Sequence, residues 1–160
     1  HQCPQCFDNC LFCCSCIMKC HCNFPFHQVQ WWNNMFFKPC TLQSLGLHIQ
    51  LGHPLSDTCA NPTPIYNNMF IVITSHSIVT VSLNFCNCLR AISCDVQLLH
   101  ACLFLATTLD SRTAATFEVL HLFQLLTFGS KVSSYEFYHA LSHLTNNTSQ
   151  TVPVSVFVNS

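Results

Sequence analysis

The order of apolar and polar residues divides the chain into segments with different expected structures. In residues 1–40 the apolar positions follow neither a helical nor a strand period, so this segment cannot build an ordinary apolar core. Residues 41–95 hold short runs of β-branched side chains and are predicted to be β-rich. Residues 96–148 are predicted to be helical, and residues 149–160 to form a tail. The pattern therefore predicts an α+β fold.

A β-hairpin is predicted within the middle segment. Residues 69–73 and 78–85 are rich in β-branched side chains and flank a short polar loop centred on His76. Apolar residues alternate with others along the second run, which predicts that one face of this strand is buried. The preceding stretch, residues 53–66, contains several prolines and is expected to be irregular.

Two helices are predicted in the last segment. The first is capped by Ser111 or Thr113, carries a broad apolar stripe and ends near the glycine of this segment. The second begins at Ser133 or Ser134, and Glu136 completes a partial capping box. We expect the two helices to pack as an antiparallel pair.

The composition argues against several classes of protein. Half of the residues (50%) are apolar but only 7% are charged, the net charge is −1, and no basic run marks a nucleic-acid surface. The apolar stretches are too short for a membrane span, and no signal peptide is visible. Since the chain starts within a cysteine motif, we expect it to be part of a longer protein.

The N-terminal segment carries cysteines and histidines at spacings typical of zinc sites. Because residues i and i+3 of a tight turn can direct two sulfurs at one ion, each C-x2-C pair supplies half of a tetrahedral shell. Two such pairs are followed by two histidines, which makes enough ligands for one and a half sites: Cys3, Cys6, Cys13, Cys16, His21 and His27. We therefore predict that Zn²⁺ replaces an apolar core in this segment.

Fourteen cysteines also fit a secreted, disulfide-rich structural protein, which stays open as an alternative. The cysteines occur as C-x2-C pairs followed by histidines, and this arrangement favours zinc binding in a reducing compartment.

The chain is predicted not to be an enzyme. Its 6 acidic residues are scattered over all three segments, and its 3 glycines form no phosphate-binding loop. No local motif marks a cysteine nucleophile, although a cysteine hydrolase remains a further alternative.

Four aromatic residues lie close together in the sequence, with Lys38 as their one neighbouring cation. We predict that they pack between the zinc segment and the β-rich segment, because base stacking without a positive groove is weak: Trp31, Trp32, Phe36 and Phe37.

Several separated blocks of the sequence resemble one family. They are residues 45–54 (LGLHIQLGHP), 85–88 (FCNC), 106–108 (ATT), 112–117 (RTAATF), 130–131 (SK) and 135–138 (YEFY). In this order they resemble the cysteine-cluster domain associated with fungal KDZ transposases, and the resemblance extends over residues 1–148. It implies an accessory region that precedes a catalytic core of RNase-H-like fold, which we expect outside this chain.

The resemblance also implies how the N-terminal ligands are shared. Family members carry a further C-x2-C pair just before the position of Cys3, so a cross-brace of the B-box type is expected. One ion would then be held by Cys3 and Cys6 together with His21 and His27. Cys13 and Cys16 would bind a second ion together with ligands upstream of this chain.

A separate zinc site is implied by blocks that match the family. Its candidate ligands come from a loop and from the end of the predicted hairpin: His53, Cys59, Cys86 and Cys88. Four nitrogen and sulfur ligands describe a structural zinc, because a catalytic zinc keeps one position open for water. In the alternative, the two later cysteines are a buried thiol pair and the histidine simply belongs to the loop.

We therefore expect a non-catalytic, zinc-binding accessory module of a transposase-like protein, located in the nucleus and used for DNA targeting or protein interaction. The expected partners are DNA or other transposase regions, without a membrane or a small-molecule substrate. A non-functional transposon relic is the remaining alternative. It is suggested by Cys20 and Gln28, which stand where the family commonly has Arg, and by Asn84, which stands where the family commonly has Asp. C-to-T and G-to-A transitions in the coding DNA convert Arg into Cys or Gln and Asp into Asn.

Overall fold

The computed structural model describes residues 1–7, 10–54, 57–106 and 112–145. Within these ranges helices and strands are mixed, which confirms the α+β class. The helices are α1 (Cys14–Cys20), α2 (Cys94–His100), α3 (Phe117–Ser130) and α4 (Ser134–Thr145). The strands are β1 (Gln28–Trp32), β2 (Phe37–Thr41), β3 (His48–Gln50), β4 (Pro62–Pro64), β5 (Phe70–Ile73), β6 (Ile78–Cys86), β7 (Leu103–Leu105) and β8 (Thr113–Thr116). A 3₁₀ turn covers Tyr66–Asn68.

The chain forms two compact units, each assembled from separate parts of the sequence. The first unit contains His1–Phe70 and Thr80–Gln97, and the second contains Ile71–Val79 and the described residues from Leu98 onward. Strands β5 and β6 and helix α2 therefore contribute residues to both units.

An antiparallel hairpin forms the N-terminal part of the first unit. Strands β1 and β2 pair with Val29 opposite Cys40, and the chain start joins them through a bridge between Gln2 and Gln30. Beneath the hairpin lies a small cluster of buried side chains: Cys3, Ile17, Val29 and Leu42. A candidate metal ligand is thus a member of the core of this part.

In the remainder of the first unit, strands β3 and β4 both pair with β6. Strand β3 pairs with it in parallel, with His48 opposite Ser82, and β4 pairs antiparallel, with Pro62 opposite Cys86. Strand β3 runs towards the end of β6 and into the following loop, whereas β4 begins beside that end. This register therefore brings the loop between β3 and β4 to the last residue of β6.

Both faces of β6 are buried, although the sequence predicted burial of one face. Ile78 and Ser82 are buried as well as the alternating Val79, Val81 and Leu83. Strands with parallel partners are often covered on both faces, and alternation then does not identify a single buried face.

The second unit contains the turn of the predicted hairpin. Thr74 N–H donates to Ser77 O at 2.8 Å, and Ser77 N–H donates to Thr74 Oγ1 at 3.0 Å, which closes the turn between β5 and β6 as predicted. In the same unit β5 pairs in parallel with β8, and β8 pairs antiparallel with β7. The core of this unit consists of Ile73, Ile78, Ala115, Val119 and Leu141.

Helix α4 confirms the predicted capping box. The backbone N–H and hydroxyl of Ser133 donate to Glu136 Oε2 at 3.0 and 2.8 Å. In return, Glu136 N–H donates to Ser133 Oγ at 3.3 Å. Helix α3 contacts α4 through the rings of Phe123 and Phe137, whose centroids are 5.2 Å apart.

Helix α3 begins later than predicted. Its N-cap is Thr116, whose hydroxyl accepts from Val119 N–H at 3.3 Å. Thr113 does not cap it, because this residue starts β8 and pairs with β5. The other predicted cap, Ser111, and the predicted tail lie outside the described residues.

The prediction that the N-terminal aromatic residues pack in a core was wrong for Trp31, Trp32 and Phe36, whereas Phe37 is half-buried. Trp32 is 49% exposed and Phe36 is 57% exposed. Trp32 and Phe37 form the last paired positions of the hairpin, so the rings at its turn extend beyond the small cluster beneath it.

No helix in the described ranges combines the length and apolar character needed to cross a membrane.

Candidate metal centres

The first group of candidate ligands lies in the N-terminal part of the first unit. Cys3 and Cys6 belong to a turn in which Cys6 N–H donates to Cys3 O at 3.3 Å. His21 directly follows α1, and His27 directly precedes β1. One donor atom from each of these residues lies within 4.8 Å of the others. The structure thus brings together the four residues that the family resemblance predicted to share one ion; we call this group the first centre.

The distances in the first centre match the edges of a zinc coordination tetrahedron. Zinc–sulfur bonds of about 2.3 Å and zinc–nitrogen bonds of about 2.0–2.1 Å place S and N ligand atoms about 3.6 Å apart. Cys3 Sγ and Cys6 Sγ each lie 3.5 Å from His27 Nδ1. Cys6 Sγ lies 3.4 Å from His21 Nε2.

The orientation of His21 is set by its own helix. Its Nδ1 lies 2.8 Å from Ile17 O, and because a carbonyl oxygen can only accept, Nδ1 carries the proton. The lone pair is therefore on Nε2, which faces Cys6. An outer hydrogen bond of this kind fixes the tautomer and ring orientation of metal-binding histidines.

The second group joins residues that are far apart in the sequence. His53 and Cys59 lie in the loop between β3 and β4, Cys86 ends β6, and Cys88 follows it by two residues. Their donor atoms also lie within 4.8 Å of one another, and we call this group the second centre.

The spacing in the second centre fits a metal shell, and Cys59 and Cys88 are too far apart in this structure to form a disulfide. Cys59 Sγ and Cys88 Sγ are 3.8 Å apart, close to the edge of about 3.8 Å expected for two sulfurs on zinc. A disulfide would need about 2.05 Å. His53 Nε2 is 3.1 Å from Cys86 Sγ and 3.8 Å from Cys88 Sγ.

The thiols of the second centre differ in acidity. Hydrogen bonding to His53, and then to Cys86 and Cys59, lowers the pKa of Cys88 to about 6. For Cys86, the Cys88 backbone N–H lowers the pKa, but burial and the thiols of Cys88 and Cys59 together raise it. Cys88 is therefore ionised more readily than an ordinary thiol, and the thiolate is the form in which cysteine binds metal.

Cys13 and Cys16 are exposed and belong to neither centre. A hydrogen bond to Ser15 at 3.2 Å, together with bonds to Cys16, lowers the pKa of Cys13 to about 7. The Cys13 thiol in turn raises the pKa of Cys16. In the described part of the chain this pair forms no group of three or more candidate ligands, so its zinc ligation stays a prediction.

Both centres can hold a metal ion, and their ligand atoms suit the same class of ion. The first offers two sulfurs and two nitrogens, and the second offers three sulfurs and one nitrogen. Thiolate and imidazole ligands select soft or borderline ions. None of the five cysteines of the two centres forms a disulfide in this structure: Cys3, Cys6, Cys59, Cys86 and Cys88.

Two residues that pack against the second centre were not predicted from the sequence. Gln97 is 1% exposed and hydrogen-bonds the backbone of Cys86. Gly52, directly before His53, has φ +76°, and a Cβ added there would lie 2.7 Å from Cys86 Cβ. The visible signals were a lone glutamine within an apolar stretch and a glycine beside a ligand, and neither identifies a partner without the fold.

Comparison with protein families places the second centre within a known domain. The family model of the CxC2-like cysteine cluster associated with KDZ transposases matches residues 42–149, more than half of the chain. The match contains all four residues of the second centre, while the first centre precedes it. Neither the curated proteins nor the solved structures gave a match. The chain belongs to the CxC2-like cysteine-cluster family associated with KDZ transposases.

Proposed function

We propose that this chain is a zinc-stabilised, non-catalytic accessory module of a transposase. The observation that carries the proposal is the pair of closed Cys/His centres, each with four protein donor atoms. A shell filled by four protein ligands leaves no position for water or substrate, which is the arrangement of structural zinc sites.

Zinc is favoured over other metals by the ligand types and their spacing. Zinc takes four cysteine and histidine ligands in a tetrahedron, and both centres offer such sets at matching distances. Neither centre includes a carboxylate among its described members, which makes the hard ions Mg²⁺ and Ca²⁺ poor candidates.

The proposed role is interaction with another region of the transposase in the nucleus. Lys and Arg total 5 in the whole chain, so little charge is available for phosphate contacts. The hairpin β1–β2 instead presents exposed aromatic and methionine side chains, which are enriched at protein interfaces: Trp31, Trp32, Met35 and Phe36. Protein interaction is therefore preferred to DNA targeting.

Metal content tests the proposal directly. Elemental analysis of the full chain, purified under reducing conditions, is expected to give about two zinc ions per chain. Cys86→Ser is expected to lose one of them, because it removes a ligand of the second centre. The matched control Cys94→Ser, at an exposed cysteine outside both centres, should retain both.

Two results would overturn the proposal. One is a folded wild-type chain that contains no zinc and does not take it up. The other is a chain whose thiols are blocked by disulfides under non-reducing conditions, which would support the secreted structural protein instead.

A further inference from the structure

The side-chain amide of Gln97 forms hydrogen bonds with both the backbone N–H and the backbone C=O of Cys86. Its Oε1 accepts from Cys86 N–H at 2.8 Å, and its Nε2 donates to Cys86 O at 2.9 Å. This is the pair of bonds that a neighbouring β-strand would make with a residue at the end of β6. The second Nε2 hydrogen donates to Ile92 O at 2.8 Å, so both amide protons are used.

This hydrogen bonding lies next to two ligands of the second centre. Cys86 contributes its sulfur, and the backbone that directs this sulfur is the one that Gln97 holds. Cys88 N–H donates to the same sulfur at 3.4 Å. A Cβ on Gly52, the residue before His53, would lie 2.9 Å from Gln97 Oε1. The amide therefore packs against the backbone beside both His53 and Cys86.

Burial makes these contacts costly to lose. Gln97 is 1% exposed, so water cannot replace a missing partner of its amide or of the Cys86 backbone. Gln97 belongs to the first turns of α2, and its bonds connect this helix to the ligand turn at residues 86–88.

We propose that Gln97 is a positioning residue of the second centre, which holds Cys86 in the orientation needed for metal binding. This inference rests on the proposed function, because it requires the second centre to bind metal. Hydrogen-bonding residues behind metal ligands typically contribute a 10- to 100-fold difference in metal affinity. Gln97 would have this effect through the backbone of a ligand.

The test is a Co²⁺ titration of the full reduced chain, followed by its visible and charge-transfer absorption. The centres are distinguishable, because the second has three thiolates and the first has two, and sulfur-to-cobalt absorption grows with the number of thiolates. Gln97→Met keeps the side-chain volume and removes the hydrogen bonds. The matched control is Gln124→Met, at an exposed position of α3.

The expected result is that Gln97→Met weakens Co²⁺ binding at the second centre by about 10- to 100-fold and changes the first by less than about twofold. Equal weakening of both centres, or no change at the second, would overturn the inference. If Gln97→Met does not fold, Gln97→Asn is judged by the same outcomes, because its shorter amide cannot bind both backbone groups of Cys86. If the wild-type chain itself binds no Co²⁺ at the second centre, the proposed function fails and this inference fails with it, whereas a defect confined to the variant tests the inference alone.

Discussion

At the scale of single residues, hydrogen bonds favour the forms of His21 and Cys88 that can bind a metal ion. His21 carries its proton on Nδ1 because Ile17 O accepts it, which leaves Nε2 free to bind. Cys88 is ionised more readily than an ordinary thiol, chiefly because it is hydrogen-bonded to His53. Neighbouring residues therefore favour the tautomer of His21 and the ionised form of Cys88 in which these side chains can bind a metal ion.

The lowered pKa of Cys88 predicts how metal binding at the second centre depends on pH. The folded-state pKa of Cys88 is lowered to about 6 from an ordinary value of 9.0, so protons compete with metal for this sulfur only as the pH falls through about 6. The zinc affinity of the second centre is therefore expected to fall more steeply with decreasing pH below about 6, where Cys88 must also release a proton in order to bind.

A competition titration with a chromogenic chelator between neutral and acidic pH measures this dependence. The Cys13→Ser variant provides a control, since Cys13 also has a lowered pKa but lies outside both centres. A zinc affinity whose dependence on pH does not become steeper below about pH 6 would contradict the prediction.

At the scale of elements, strand register explains how distant ligands meet. Strands β3 and β4 lie beside β6 with opposite directions, and the loop that connects them ends up next to Cys86. In the hairpin β1–β2, Val29 is buried, whereas the aromatic rings near the turn are exposed. Exposed aromatic rings at the end of a hairpin are suited to contact another protein.

We predict that the rings of this hairpin form the contact with the remainder of the transposase. Replacing Trp32 and Phe36 together by alanine should weaken that binding by at least about tenfold, because large aromatic side chains dominate interface energies. Isothermal titration calorimetry with the purified remaining regions measures the affinity.

The matched control is Phe128→Ala, which removes a ring that is 81% exposed on α3. Unchanged affinity of the double variant would contradict the assignment of this surface. Salt-dependent binding of the chain to duplex DNA would instead support a role in DNA targeting.

At the scale of the whole molecule, the clusters of buried side chains in the two units differ in composition. Both candidate centres lie in the first unit, where the small N-terminal cluster includes Cys3. The second unit has a cluster of apolar side chains, Ile73, Ile78, Ala115, Val119 and Leu141, without a candidate ligand. Zinc-dependent segments lose their fold without the ion, whereas apolar clusters do not require it.

Metal removal should therefore affect the two units unequally. Chelation is expected to abolish hydrogen-exchange protection of the amides in β1 and β2, while the amides of α3 and α4 keep at least part of theirs. Exchange followed by mass spectrometry measures both, with zinc-saturated chelator as the control. Persistent protection of β1 and β2 in the metal-free chain would contradict a metal-dependent first unit.

The local sequence was sufficient to predict features formed by neighbouring residues. Ser133 and Glu136 lie three positions apart, so their capping box could be recognised from spacing alone. The same holds for the hairpin turn after β5, and for Cys3 and Cys6 as a pair of the kind that binds metal. These features depend on backbone geometry within a few residues.

Other features depend on which distant segments become neighbours, and only the tertiary structure decided them. The use of Thr113 in β8 follows from pairing with β5, and the burial of Gln97 follows from packing against the end of β6. The exposed rings at Trp32 and Phe36 follow from the small cluster beneath the hairpin. By itself the sequence determined the types of metal ligand and their local pairs. The fold decided which of them share a site, because contacts between distant residues depend on strand register and packing, which local spacing does not encode.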